Sequence, residues 1–181
     1  MNIGIDIDNT ITETSLLANY LVKNDNRYDE NQDYHNLSKA DLMDFLTRYL
    51  EEIVYNVKLK PHVITVLNKW HKLGYKIIFI TARGAEKTDG LVNLKTLCLT
   101  SMYFEKMNIP FDEIVFFKDS KEGAALDYKL DIFIDDKEQV LNEMKKDNIK
   151  TLRMGENDKS NHIVVKNWLE IEKIIAEMGD K

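Results

Sequence analysis

Short apolar runs separated by helical patterns constrain this chain more than any other feature. They are Ile3 to Ile7, Lys76 to Ile80, Ile114 to Phe117, Ile132 to Ile134 and, more weakly, Lys150 to Met154. Runs of strand length with no polar face belong in a sheet covered on both sides, which means a parallel sheet. The spacers fit that reading. Between Pro61 and Gly74, Val63, Val66, Leu67 and Trp70 keep helical spacing, with proline at the start and glycine at the end. Further helices are predicted over Asp89 to Lys106, Lys121 to Tyr128, Glu138 to Lys146 and Asn167 to Met178, the last packing Trp168, Ile171, Ile174 and Ile175. The expected class is α/β, a parallel sheet between two helical layers.

Ile11 to Lys60 breaks the alternation, because no convincing strand lies in it. Leu16, Leu17, Tyr20 and Leu21 suggest one amphipathic helix, and Leu42, Phe45, Leu46, Tyr49, Leu50 and Ile53 a longer one, with a polar loop over Lys23 to Asn36. The division expected is a core of residues 1–11 and 60–181, with a small helical cap, residues 12–59, inserted after the first strand. Because the insertion leaves from a strand end, where open α/β sheets bind ligands, it is placed to cover a site.

A chain of 181 residues suits one domain with an insertion. Its net charge of -6 argues against a nucleic-acid polymer or an anionic membrane as partner, since both call for a basic face. No segment approaches a membrane helix, and the chain enters its first strand without a leader-like stretch, so a cytoplasmic protein is expected. The lone Cys98, beside Leu94 and Leu97, reads as a buried small hydrophobe. His35, His62, His71 and His162 are scattered without ligand spacing and read as ordinary surface or core residues.

The chemistry lies where the runs end. Asp6 and Asp8 close the first, and their spacing in an extended chain puts both on one side. Two such charges ~4 Å apart repel by roughly 4 kcal/mol at an effective dielectric near 20, so the pair calls for a shared proton or a cation. The second run delivers Thr81 and Arg83, the third Lys118, Asp119, Ser120 and Lys121, and the fourth Asp135 and Asp136. In a parallel sheet these ends share one edge. Singly, each has an ordinary role: Thr81 or the acidic pair as a helix cap, Lys121 as a solvated charge. Together, and in this order, they point to a site.

In this arrangement the chain resembles the haloacid dehalogenase-like superfamily of aspartate-nucleophile phosphatases, whose first motif is Asp-x-Asp-x-Thr and whose fourth is an acidic pair after a strand. The resemblance covers the chain outside Thr12 to Leu59 and implies a Rossmann-like core. It also implies that Asp6 is the nucleophile and Asp8 the acid/base. Those residue types suit such chemistry, since a carboxylate can take a phosphoryl group, and a second can protonate the leaving oxygen and then activate water.

The family pattern places a metal on Asp6, the main-chain carbonyl of Asp8 and the acidic pair, with Asp136 as direct ligand and Asp135 behind it. Hard oxygen donors and the absence of a His/Cys cluster favour Mg2+. Thr81, Ala82 and Asn9 would meet the phosphoryl oxygens. A lysine would neutralise charge in transfer: Lys121, which opens a helix in an Asp-Ser-Lys setting like that of the deoxyribonucleotidases, is favoured over Lys118. Arg83 is either a substrate contact or a surface ion pair.

The insertion resembles that of the small-capped 5'-nucleotidases and 5'(3')-deoxyribonucleotidases, which implies a nucleoside monophosphate substrate with its base on cap aromatics. Tyr20, Tyr28, Tyr34, Phe45 and Tyr49 are available; Phe45 and Tyr49 either meet the base or, since they lie one turn apart on an apolar stripe, belong with most of these rings to the core of the cap. Asn9-Thr10 and Ala82-Arg83 depart from the deoxyribonucleotidase pattern. The alternatives are another small phosphate ester, such as a sugar phosphate, or a catalytically silent binding protein that keeps the fold.

Overall fold

The computed structural model describes residues 1–29, 31–84, 90–116, 120–156 and 159–179. Six parallel strands, β1 (Asn2–Ile5), β2 (Lys76–Thr81), β3 (Glu113–Phe116), β4 (Ile132–Asp135), β5 (Lys150–Met154) and β6 (Ile163–Val165), form one sheet in the order β3-β2-β1-β4-β5-β6. That is the doubly wound order, and its topological switch lies between β1 and β4. Seven helices complete the described chain: α1 (Thr14–Lys23), α2 (Lys39–Val54), α3 (Val63–Lys72), α4 (Gly90–Lys106), α5 (Lys121–Asp127), α6 (Glu138–Lys146) and α7 (Trp168–Gly179), with a 3-10 turn over Tyr34–Asn36. None of them is long and apolar enough to cross a membrane.

The strand period sorts the sheet's side chains between two helical layers. Ile3, Ile5, Ile77, Phe79, Ile132 and Ile134 face one way, against Val63, Leu67 and Trp70 of α3, Tyr103 and Phe104 of α4, and Trp168 and Ile171 of α7. Ile78, Ile80 and Phe133 face the other way, against Ala125 of α5 and Leu141 and Met144 of α6. Gly4 belongs to this second face. A Cβ there would lie 2.5 Å from Phe133 Cδ2, so the bare backbone is what lets the Phe133 ring close over β1.

β1 and β6 differ from the sequence expectation. β1 stops at Ile5, not Ile7. Asp6 N–H still donates to Ile134 O at 2.9 Å, but Asn9 takes a left-handed φ of 62° and the N–H groups of Ile11 and Thr12 turn back onto Ile7 O. The edge strand β6 has no counterpart in the sequence expectation, because three residues with Ile163 exposed carry no readable period. Phe117, expected to close the third strand, and Asp89, expected to open α4, lie outside the described residues.

Cys98 is exposed, contrary to the expectation of burial. The buried stripe of α4 is Thr96, Leu99, Thr100, Tyr103 and Phe104, which leaves Leu94 and Cys98 on the outer side.

The segment between β1 and α3 has a core of its own: Ala18 and Val22 of α1, Tyr28, and Phe45, Leu50, Ile53 and Val54 of α2, joined by Leu99 of α4. Its two ends meet. Thr12 and Leu59 form an antiparallel bridge, flanked by Glu13 N–H to Lys58 O at 3.0 Å and Lys60 N–H to Ile11 O at 2.8 Å.

Candidate active site

β1 and β4 bring three carboxylates to the switch point. Asp6 follows β1, Asp135 ends β4 and Asp136 comes next, and one oxygen of each lies within 4.8 Å of the others. Lys121, the first residue of α5, reaches into them from the second face. Its Nζ contacts Asp6 Oδ1 and donates to Asp135 Oδ2 at 2.6 Å. The helix start is set by Ser120, whose Oγ accepts the Gly123 N–H at 3.1 Å. Asp6, Asp135 and Lys121 are all buried. Lys118, the other lysine considered, lies outside the described residues, as does Asp119.

Burial dominates the electrostatics. It pushes Asp6 up to about 7; Lys121 opposes the rise, while Asp135 and Asp8 add to it. Asp135 and Asp136 are raised as well, chiefly by burial. For Lys121 burial pulls the other way, but Asp6 and Asp135 outweigh it and keep the ammonium charged.

The cluster has unused capacity. Asp135 Oδ1 accepts the Lys137 N–H at 2.8 Å and Asp136 Oδ2 accepts from Asn9 Nδ2 at 3.3 Å, but the buried Asp136 Oδ1 has no hydrogen-bond partner. A buried carboxylate oxygen without a donor, beside two more carboxylates, is what an oxygen-ligated divalent cation requires. The donor set therefore fits such an ion, for which Asp6, Asp135 and Asp136 each offer a carboxylate oxygen.

Asp8 does not join this cluster through its side chain. Sequence spacing puts Asp6 and Asp8 on one side; the turn at Asn9 sends them to different cations, Asp6 to Lys121 and Asp8 to Arg83. Arg83 donates to Asp8 Oδ1 from Nη2 at 2.6 Å and to Oδ2 from Nε at 3.0 Å, and Thr14 Oγ1 adds a donor at 2.7 Å. Burial alone would raise Asp8; Arg83 and Thr14 outweigh it and hold the carboxyl below the usual range. Arg83 is itself buried, so it is not a surface ion pair.

The other residues expected at the phosphate end lie nearby. Thr81, the last residue of β2, is buried and its Oγ1 accepts the Arg83 N–H at 3.2 Å. Asn9 Oδ1 accepts the Ser15 N–H at 2.8 Å, which with its bond to Asp136 ties the turn to both α1 and β4. Trp168 supports the same loop from α7 by donating its Nε1–H to Thr10 O at 3.1 Å.

A cavity of about 290 Å³ opens beside Asp8, lined by Asn9, Ala82 and Arg83 from the sheet edge and by residues of α2, α4 and the 3-10 turn. Phe45 and Tyr49, the candidates to meet a base, do not line it. Phe45 is fully buried, with Tyr28, Tyr34 and Tyr49 within ring contact, and Tyr49 Oη donates to Asp25 at 2.8 Å. They face α1 and the loop after it, while Leu46, Leu50 and Ile53 of the same helix face the cavity. Tyr34, one of the five rings available for a base, lines the wall instead, together with His35, which reads from sequence as an ordinary residue. No periodic pattern marks a 3-10 turn, so nothing local singles Tyr34 out from the other four rings.

No family model matches the chain, and no curated protein matches its sequence. Solved structures do match in fold. A predicted phosphatase from Clostridium acetobutylicum superposes with a TM-score of 0.70 at 16% identity, over 97% of this chain and 98% of that one. A Had-superfamily hydrolase from Ehrlichia chaffeensis gives 0.59 at 16%, over 98% and 96%. The D,D-heptose 1,7-bisphosphate phosphatase from B. bronchiseptica, solved with magnesium and phosphate, gives 0.53 at 10%, over 98% of both chains. The class defined by sheet order and these likenesses is the α/β Rossmann-like fold of haloacid dehalogenase-type proteins. At such identities the likeness extends to the fold.

Proposed function

We propose that this chain is a magnesium-dependent phosphomonoesterase that works through a phosphorylated Asp6 and acts on nucleoside or deoxynucleoside monophosphates. The observation that carries the reading is the buried Asp6–Lys121–Asp135 arrangement beside the partnerless oxygen of Asp136. Asp6 attacks phosphorus, the new Oδ–P bond forms as the ester P–O bond breaks, and the leaving oxygen takes a proton from Asp8. Water then attacks phosphorus, Asp8 takes its proton, and Asp6 is released.

Lys121 meets the charge that accumulates on the phosphoryl oxygens, together with Thr81 and the main chain near Asn9 and Ala82. Asp6, the Asp8 carbonyl and Asp136 would hold Mg2+, with Asp135 fixing Lys121 behind them; the ion supplies positive charge that favours ionised Asp6 and neutralises the phosphate. Arg83 keeps Asp8 in the base form needed by the second step, so the first step requires the substrate to draw Arg83 away.

Residues 12–59 act as a cap, joined to the core by the paired segments at Thr12 and Leu59 and roofing the cavity. A nucleoside monophosphate is supported by the apolar inner wall of Leu46, Leu50, Ile53, Val54 and Val92, which suits a ring more than a fully hydroxylated chain. A sugar phosphate is the second reading, favoured by the fold shared with the heptose bisphosphate phosphatase. We place the protein in the cytoplasm, where such small phosphate esters are found.

The test is hydrolysis of nucleoside monophosphates, sugar phosphates and an aryl phosphate with and without Mg2+. Asp6→Asn removes at least about a thousandfold of the activity if Asp6 is the nucleophile. Inactivity of the folded wild type on every monoester would instead favour a silent binding protein.

A further inference from the structure

The cavity beside Asp8 has two kinds of wall. Leu46, Leu50, Ile53 and Val54 of α2 and Val92 of α4 present hydrocarbon. Tyr34 lines the same cavity as the Asp8–Arg83 pair, and burial first, then the Asp8 charge, raise its phenol above the ordinary value.

Tyr34 is held in place from several sides. Its N–H donates to Asn19 Oδ1 at 2.7 Å, and its ring packs 5.3 Å from Phe45 and 5.3 Å from His35. His35 is fixed in turn by Ser15 Oγ, 2.9 Å from its Nε2. Among the described residues the Tyr34 hydroxyl has no hydrogen-bond partner, although its half-buried ring is anchored on the cap. The other hydroxyls lining the cavity are committed: Thr14 to Asp8, Ser15 to His35 and Thr96 to Val92 O. A phenol with an unused donor, held by packing on the wall of a cavity, is positioned to read a ligand.

We propose that Tyr34 is the specificity-determining residue of this site: its hydroxyl bonds a hydroxyl or ring oxygen of the leaving group next to the scissile ester, while the hydrocarbon beyond it takes an apolar ring. The inference rests on the phosphomonoesterase reading and deepens it, since it requires an amphipathic leaving group, oxygenated near the phosphate and ring-like at the far end. A nucleoside has that layout. A short sugar has the oxygens but no apolar ring for the hydrocarbon wall, and a plain aryl group has no oxygen to offer Tyr34 beyond the ester.

The experiment compares wild type, Tyr34→Phe and Val92→Asn on a nucleoside 5'-monophosphate, ribose 5-phosphate and p-nitrophenyl phosphate. Tyr34→Phe is expected to lower kcat/KM about tenfold on the nucleotide and on ribose 5-phosphate, and to leave the aryl phosphate within about twofold. Val92→Asn, at a partly exposed position outside the reacting groups, is expected to lower the nucleotide alone. An equal loss of Tyr34→Phe on all three substrates, or no loss on any, overturns the proposal, because a structural or idle Tyr34 does one or the other. If Val92→Asn spares the nucleotide, the apolar zone takes no ring and that part of the proposal fails. The nucleotide reading is judged separately, by whether wild type prefers the nucleotide to ribose 5-phosphate. A wild type inactive on all three substrates overturns both.

Discussion

Arg83, two residues beyond the end of β2, clamps Asp8 from both sides of its carboxylate, with Nη2 at 2.6 Å from Oδ1 and Nε at 3.0 Å from Oδ2. The clamp joins the sheet edge to the turn that leads into α1, and Thr14 at the start of α1 completes it. It also separates two aspartates close in sequence: Arg83 holds Asp8 ionised, whereas burial raises Asp6 against the pull of Lys121.

Replacing Arg83 by Met leaves Asp8 with Thr14 alone. The Asp8 side chain keeps 35% exposure, so water screens the orphaned charge and the cost falls below that of a fully buried pair, about 1–3 kcal/mol. Urea unfolding of the variant is expected to show that loss, and turnover of an aryl phosphate to fall about tenfold as Asp8 loses its position. Unchanged stability with unchanged turnover would mean the clamp does nothing.

The partnerless oxygen of Asp136 predicts a thermal response. With Mg2+ at about a hundred times its dissociation constant, binding adds about 2.7 kcal/mol, or roughly 5–10 °C in Tm for a chain of this size. Asp136→Asn is expected to abolish that rise and to raise the metal-free Tm, since it removes one of three crowded carboxylates. A full Mg2+ response in the variant would move the ion elsewhere.

His162 makes stability depend on pH. It is 8% exposed, its Nδ1 lies 2.7 Å from Thr151 Oγ1 and its Nε2 3.0 Å from Asn142 Oδ1. Burial first, then Lys145, lower its pKa from the ordinary 6.5. The unfolded chain therefore takes up the proton first as pH falls. The contribution is complete above about pH 6.5 and is lost below it. Wild-type Tm is expected to fall more than that of His162→Gln between about pH 7.5 and about pH 5; parallel curves would contradict it.

Gly4→Ala tests the close approach of β1 and β4. The added methyl would meet Leu130 and Phe133, and overpacking of this kind costs about 1–3 kcal/mol. Chemical denaturation should show a lower midpoint with an unchanged slope. A neutral result would show that the Phe133 ring can move aside.

Strand and helix periods are local, so the alternating sheet and helices, and the residues at the carboxyl ends of β1, β2 and β4, are legible from sequence. Asp6, Thr81, Asp135 and Asp136 stand at one edge because parallel strands leave them no other, and the opening residue of α5 brings Lys121 to the same place. A period says which residues share a side of an element; it does not say what covers that side. For this reason the pattern puts Cys98 on the wrong side of α4, and it leaves Phe45 and Tyr49 open between a core and a base, where docking of α2 on α1 packs both inward and turns Leu46 and Leu50 to the cavity. The Asp8–Arg83 clamp and the placing of Tyr34 likewise depend on a left-handed turn at Asn9 and on how a helical segment seats over a sheet. These are packing choices between residues distant in sequence, and only the tertiary structure decides them.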